Sequence, residues 1–219
     1  NDVTAIVDLV AAIPGDPGRY AALYAMVGVA GVRPSEAIGL HAADLQLPTT
    51  GWGLASLRGA ITSPGPRYTA SRTQVEAKDL KHRAPGAIRE VPISSGLVTR
   101  LRDHLTRFET IDGRIFSNAA GRPVTATNYG PVWVRARTKL WPVGHPFART
   151  TVYDLRHAAA TMMLRAGVPP AEVARRLGHS VDMLMRVYAG VFDDERDRSN
   201  QLIGDALADD KTAPRHAKK

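Results

Sequence analysis

A mostly helical α+β fold with one small antiparallel sheet of two or three strands is predicted by three observations. Apolar residues recur at helical spacing in both halves of the chain. Between those halves lies a run of turn formers, among them Pro48, Gly51, Gly59, Pro64, Pro85 and Gly86, that separates short strand-like segments. The 219 residues, 44% hydrophobic and 23% charged, suffice for a buried core and exclude a disordered chain.

In chain order, Val3, Ile6, Val7 and Val10 predict a first helix that stops near Pro14 and Gly15. A second covers residues 19–30 and is closed by Gly31. Pro34 suits a first helical position, so residues 34–40 form a short third. Residues 54–58 and 89–93 read as antiparallel strands joined by long polar connections. Helix returns over residues 94–108 and about 129–140, where Trp133, Ala136 and Leu140 share a face. Residues 149–166 form a long helix with a stripe of Leu155, Ala159, Met162, Met163 and Ala166, ended by Gly167. Pro169 and Pro170 open a short helix with Val173 and Leu177 inward, and Gly178 closes it. On the next, Val181, Leu184, Met185 and Tyr188 fall at the spacing of a core stripe. A last helix spans residues 192–207. One domain is therefore expected over residues 1–208, with a basic, mobile tail over 209–219.

Lys and Arg number 29 against 21 Asp and Glu, a net charge of +8, with a pI near 10.1. That surplus points to a polyanionic partner, nucleic acid or an acidic membrane surface. Cysteine is absent, which excludes a disulfide scaffold, a thiolate-ligated zinc site and a thiol nucleophile. The longest apolar stretch, residues 20–32, is too short to span a bilayer, and no secretory signal opens the chain. A soluble intracellular protein is expected; the first residue, Asn1, suggests a fragment or a processed chain.

Four groups of residues could carry chemistry. In Gly31-Val32-Arg33-Pro34-Ser35-Glu36 a guanidinium is fixed at a helix N-terminus, where anions are favoured, with Glu36 placed to grip it or cap the helix. The sheet segment carries Lys78, Lys81, His82, Arg83 and Arg89, either phosphate contacts or charges guarding an edge strand. In Tyr153-Asp154-Leu155-Arg156-His157, Arg156 lies at the edge of a buried stripe and needs an anionic partner, a phosphate or a carboxylate. The fourth is Leu177-Gly178-His179 with Tyr188 nine residues later, by spacing alone a cap and a packed aromatic. Residues 166–179 also read as a helix-turn-helix, whose Arg175 and Arg176 would contact DNA without any catalysis.

Taken in order, these residues resemble the catalytic domain of the tyrosine recombinases, the phage integrase family, over roughly residues 19–207. The most specific parts are Tyr153-Asp-Leu-Arg-His-Ala-Ala-Ala-Thr, Val-Ala-Arg-Arg-Leu-Gly-His-Ser and the Val-Tyr-Ala at Tyr188. By resemblance Arg33 and Arg156 are the two catalytic arginines, His179 the His/Trp position and Tyr188 the nucleophile. Glu36 and Asp44 are similar to supporting acidic residues. Lys78 is the strand lysine, because Arg89-Glu-Val-Pro-Ile resembles the strand that follows it, with Lys81 the alternative. Tyr153 stands where the family has His. A phenol donates a hydrogen bond but does not shuttle protons at neutral pH. Tyr153 is therefore expected to position the phosphate, leaving acid–base work to Lys78 and His179.

The resemblance implies metal-independent, cofactor-free cleavage of double-stranded DNA attachment sites through a 3′-phosphotyrosyl intermediate, and resealing without ATP. Lys81, Arg83, Arg175 and Arg176 are expected to bind DNA. It also implies a homotetramer in the full-length protein, accessory DNA-bending or directionality factors, no membrane partner, and core-binding and arm-binding domains lying outside this chain. A type IB topoisomerase-like enzyme shares the chemistry and is the enzymatic alternative; a helix-turn-helix regulator is the other.

Overall fold

A computed structural model describes residues 8, 18–62, 75–81, 84–191 and 196–212, with side chains of the last segment described over 199–208. The predicted first helix, His82, Arg83 and residues 213–219 lie outside them.

Helix α1 (Ala21–Gly28) is apolar all round and all eight of its residues are buried, so it forms the centre of the domain rather than a face of it. It packs across α5 (Val152–Arg165), α2 (Pro34–Ile38) and α3 (Ser95–Arg107). A 3₁₀ turn (Ala42–Asp44) follows α2. Strands β1 (Leu45–Gln46), β2 (Gly53–Leu57) and β5 (Arg89–Ile93) form an antiparallel sheet in the order β1-β2-β5, with Ala55 opposite Val91 and Leu57 opposite Arg89. Pro92 is tolerated because β5 is an edge strand. The structure adds to expectation a second ribbon, β3 (Ala60–Thr62) paired with β4 (Glu76–Lys78), which lies against α2.

Helix α4 (Ala126–Leu140) begins about three residues earlier than its periodicity announces. Asn128 Oδ1 accepts the Thr125 backbone N–H at 2.9 Å, a cap that outweighs Pro131 within the helix. Leu140, expected to share the buried face, is exposed. On α5 the buried stripe is Val152, Leu155, Arg156, Ala159, Ala160, Met163 and Leu164; Met162 is only partly buried and Ala166 is exposed. The chain continues through α6 (Pro170–Leu177), α7 (Val181–Tyr188), a 3₁₀ turn (Ala189–Val191) and α8 (Arg196–Thr212), which runs past the predicted end at residue 207. On α7 the expected stripe is halved. Leu184 and Tyr188 are buried, whereas Val181 and Met185 are exposed, because α7 packs mainly on α6 and its outer flank overhangs the core.

Two apolar clusters result. The larger joins α1, α2, the three-stranded sheet, α3, α4 and the start of α5; the smaller joins the rest of α5 with α6 and α7. Leu155 belongs to the first and Ala159 to the second, so Arg156 sits at their seam.

Candidate active site

The seam is held by charge. Gly31, at φ 71°, turns the chain out of α1, and Arg33 then precedes Pro34 at the head of α2. Glu36 does both things its position allows: Oε2 accepts the Arg33 backbone N–H at 2.8 Å, and Oε1 accepts Arg33 Nη1 at 2.8 Å. Arg89 Nη2 donates to the same carboxylate, and its Nη1 donates to the Arg176 carbonyl. Burial pushes the Glu36 carboxyl up, but Arg89 and Arg33 outweigh it and hold it below the ordinary value. Arg89 is no edge-strand guard: it is buried, on the same face of β5 as Val91 and Ile93.

Arg156 is 1% exposed. Its partners are not the carboxylate that burial of a cation leads one to expect. Nη1 donates to the Gly31 carbonyl, and Nη2 to the Leu177 carbonyl at 2.6 Å and to His179 Nε2 at 2.9 Å. Arg33 Nη2 reaches the next carbonyl, Gly178, at 3.4 Å. Two guanidinium groups thus converge on consecutive residues of one turn. Burial and the neighbouring Arg33 pull the Arg156 guanidinium down to about 10, so it stays charged at neutral pH. Gly178 closes α6 at φ 68°, and a Cβ there would stand 3.0 Å from the Arg89 guanidinium, so glycine is required twice over.

His179 is pulled down to about 4, by burial first and then by Arg156, and is neutral at pH 7. Since a guanidinium can only donate, Nε2 is the acceptor and Nδ1 carries the proton. Nδ1 is buried and has no hydrogen-bond partner among the described residues. With Nε2 engaged by Arg156, the acceptor nitrogen of His179 is already occupied in this arrangement.

Tyr188 is buried, and its hydroxyl lies 2.8 Å from His157 Nδ1 on α5. Burial pushes its phenol up from the ordinary value. Tyr153, one turn before His157, meets the His157 ring edge-on at 5.5 Å between centroids. It is 43% exposed and lines a cleft of about 620 Å³ together with Arg33, Tyr129 and Trp133.

Other expected residues stand outside this arrangement. Lys78 is on β4, half-exposed, 3.3 Å from Glu76, and lines a separate cleft with Asp44 and Arg58; Lys81 is exposed in the turn beyond the strand. Asp44 accepts the His41 backbone N–H and pairs with Arg58 Nε at 2.7 Å. Arg175 and Arg176 are clamped on Glu172, whose carboxyl those hydrogen bonds hold down at about 2. Arg176 also lies over the Trp52 ring and Arg175 donates to the Glu90 carbonyl, so the pair ties α6 to the sheet. Among the described residues no His, Asp and Glu cluster is arranged to hold a metal ion, and no helix is long and apolar enough to cross a membrane.

The phage integrase family matches residues 1–195. This chain belongs to the phage integrase family. Among curated relatives, a tyrosine recombinase XerC-like protein of Caldanaerobacter subterraneus subsp. tengcongensis is 21% identical over 201 residues, which is 85% of this chain and 49% of that protein. The chain thus spans about half the length of the curated relative it matches. Among solved structures, the Tn1549 transposon integrase in complex with transposon right-end DNA superposes with a TM-score of 0.68 at 21% identity, covering 90% of this chain and 63% of that one. XerH site-specific recombinase bound to difH substrate gives 0.59 at 17%, covering 84% and 47%. XerA recombinase gives 0.61 at 16%, covering 89% and 63%. The fold is that of tyrosine recombinase catalytic domains.

Within this phage integrase domain, the sequence alone singles out Arg89 only as a phosphate contact or an edge-strand charge, and gives no role to His157. Arg89 had a signal: the alternation Arg89, Val91, Ile93 points all three to one face. His157 had none, because only the packing of α7 on α6 brings Tyr188 to it.

Proposed function

We propose that this domain cleaves and rejoins DNA at specific sites through a covalent 3′-phosphotyrosyl intermediate. The observation that carries the reading is the convergence of Arg33 and Arg156 on the 177–178 turn, from which α7 delivers Tyr188. Positive groups fixed in advance at a partly buried site stabilise the charge that spreads over a phosphorane-like transition state. Tyr188 Oη attacks the phosphorus and the 5′-oxygen leaves. The new phosphotyrosyl ester retains the energy of the phosphodiester, so a 5′-hydroxyl reseals the strand without ATP. Tyr153, exposed in the cleft beside Arg33, donates to a non-bridging oxygen, and His179, next to the guanidinium turn, hydrogen-bonds the phosphate. Lys78 on β4, apart from the cluster in the DNA-free domain, protonates the leaving oxygen once bound DNA brings its ribbon to the site; that ribbon is packed on α2, which carries Glu36.

The working assembly in this reading is a homotetramer of the full-length protein on two duplex attachment sites, in the cytoplasm of a bacterial or phage-infected cell. This domain alone binds DNA weakly and with steep salt dependence, through its surplus positive charge. A covalent trapping assay tests the chemistry: the protein is incubated with nicked duplexes, denatured and resolved for a slow-migrating protein–DNA adduct. The expected adduct is lost in Tyr188→Phe. The reading fails if the intact parent protein yields no adduct on its own attachment site. Relaxation of supercoiled DNA without paired sites would transfer the same chemistry to a type IB topoisomerase-like activity.

A further inference from the structure

We propose that His157 takes the phenolic proton of Tyr188 as the phosphodiester is attacked; this deepens, and rests on, the recombinase reading above. The hydroxyl and His157 Nδ1 are 2.8 Å apart, within the range for direct proton transfer, with the rings 5.8 Å apart at 49°. No other basic nitrogen hydrogen-bonds Tyr188 Oη among the described residues. The alternative imidazole, His179, already spends its acceptor nitrogen on Arg156, and a guanidinium has no lone pair to offer. For Nδ1 to accept, His157 carries its ring proton on Nε2, the opposite tautomer to His179. The Tyr153 ring, edge-on against His157 one turn earlier on α5, fixes the imidazole plane. The need is physical: Tyr188 is buried, its phenol ionises reluctantly, and the proton must depart during attack.

The step balances. The O–H bond of Tyr188 breaks, its proton passes to Nδ1, and the freed electron pair forms the O–P bond. The P–O5′ bond breaks, and the 5′-oxygen takes a proton from the strand lysine. In resealing both protons return. Helix α5 therefore supplies from adjacent residues a cation for the phosphate and a base for the nucleophile, about 100° apart around its axis. The titratable and charged groups that face His157 are Tyr188 from α7, His179 from the turn before it, and Tyr153, Asp154 and Arg156 on α5; Asp154 is occupied capping Thr151.

The test is single-turnover adduct formation on the duplex recovered by trapping, with oxygen or sulfur as the bridging 5′ atom. A sulfur leaving group departs without a proton, so it isolates removal of the tyrosine proton from protonation of the leaving group. His157→Gln retains a hydrogen-bonding side chain but no basicity. It is expected to melt like the wild type and to slow adduct formation by roughly 10²–10⁴-fold on both substrates. Free imidazole is expected to rescue His157→Ala in part. His157→Gln with the wild-type rate overturns the role of His157 and leaves the recombinase reading standing. No adduct from the wild-type parent protein overturns that reading and this role with it.

Discussion

Helices α6 and α7 are equal in length and unequal in attachment. Helix α6 buries Val173, Ala174 and Leu177, and the carbonyls of Arg176, Leu177 and Gly178 at its end accept hydrogen bonds from Arg89, Arg156 and Arg33. Helix α7 buries only Leu184 and Tyr188, and leaves Val181, Met183, Met185 and Val187 40–48% exposed. Each fully buried aliphatic side chain stabilises by about 1.5–3 kcal/mol, and α6 adds charge-assisted hydrogen bonds to that. The part of the site that would bind phosphate is thus clamped to the core, while the part that would attack hangs from two side chains. Such an arrangement lets Tyr188 shift without dismantling the guanidinium turn.

The widest gap between the helices is expected on truncation. Leu177→Ala should lower global stability by about 2–5 kcal/mol, since Leu177 packs on the backbone of Gly31 and leaves a cavity at the seam. Met183→Gln on α7 should stay within about 0.5 kcal/mol; equal losses in urea denaturation would erase the contrast. Gly178→Ala strains a left-handed backbone by about 1–2 kcal/mol and drives a methyl into Arg89, so it should also weaken DNA binding by disturbing the turn.

Acid should loosen the turn before neutral conditions do. His179 is held at about 4 in the folded protein against an ordinary 6.5, so the unfolded chain binds more protons between those values. The stability linked to His179 is fully present above pH 6.5 and is lost as pH falls toward 4. Buried His104 contributes with the same sign. His179→Asn should flatten this part of a melting-temperature profile; an unchanged slope would remove His179 from the account. The smallest effect is local: amide hydrogens of α7 should exchange faster than those of α6, and matched rates would show α7 to be as well fastened.

Helix positions were legible because caps and periodicity are local. Thr151 and Asp154 cap α5 through a 2.6 Å bond that needs no tertiary contact, and Gly178 ends α6 where the sequence says it must. Four of the residues that the ordered motifs single out also lie close in space: Arg33 and Arg156 reach the carbonyls of residues 178 and 177, His179 follows that turn, and Tyr188 at the end of α7 reaches His157, next to Arg156 on α5. What failed to show was long-range. The carbonyl partners of Arg156 come from residues 31 and 177, so nothing near it in sequence announces them. The stripe on α7 was overread because periodicity records a face and not the extent of the surface it meets. Lys78 stays apart from the cluster, paired with Glu76 on its ribbon, and its spacing to Arg89 carries no information about distance.

Arg156 is buried, charged, and touched by carbonyl oxygens and a neutral imidazole, with no carboxylate hydrogen-bonded to it among the described residues. A dipole compensates a buried cation less completely than an anion does. In the proposed chemistry the DNA-free domain therefore lives with an electrostatic debt at its own seam, which the scissile phosphate settles on arrival. Folding and substrate binding are then linked through a single guanidinium: the charge that makes the empty domain less stable is the one that makes the loaded domain tighter.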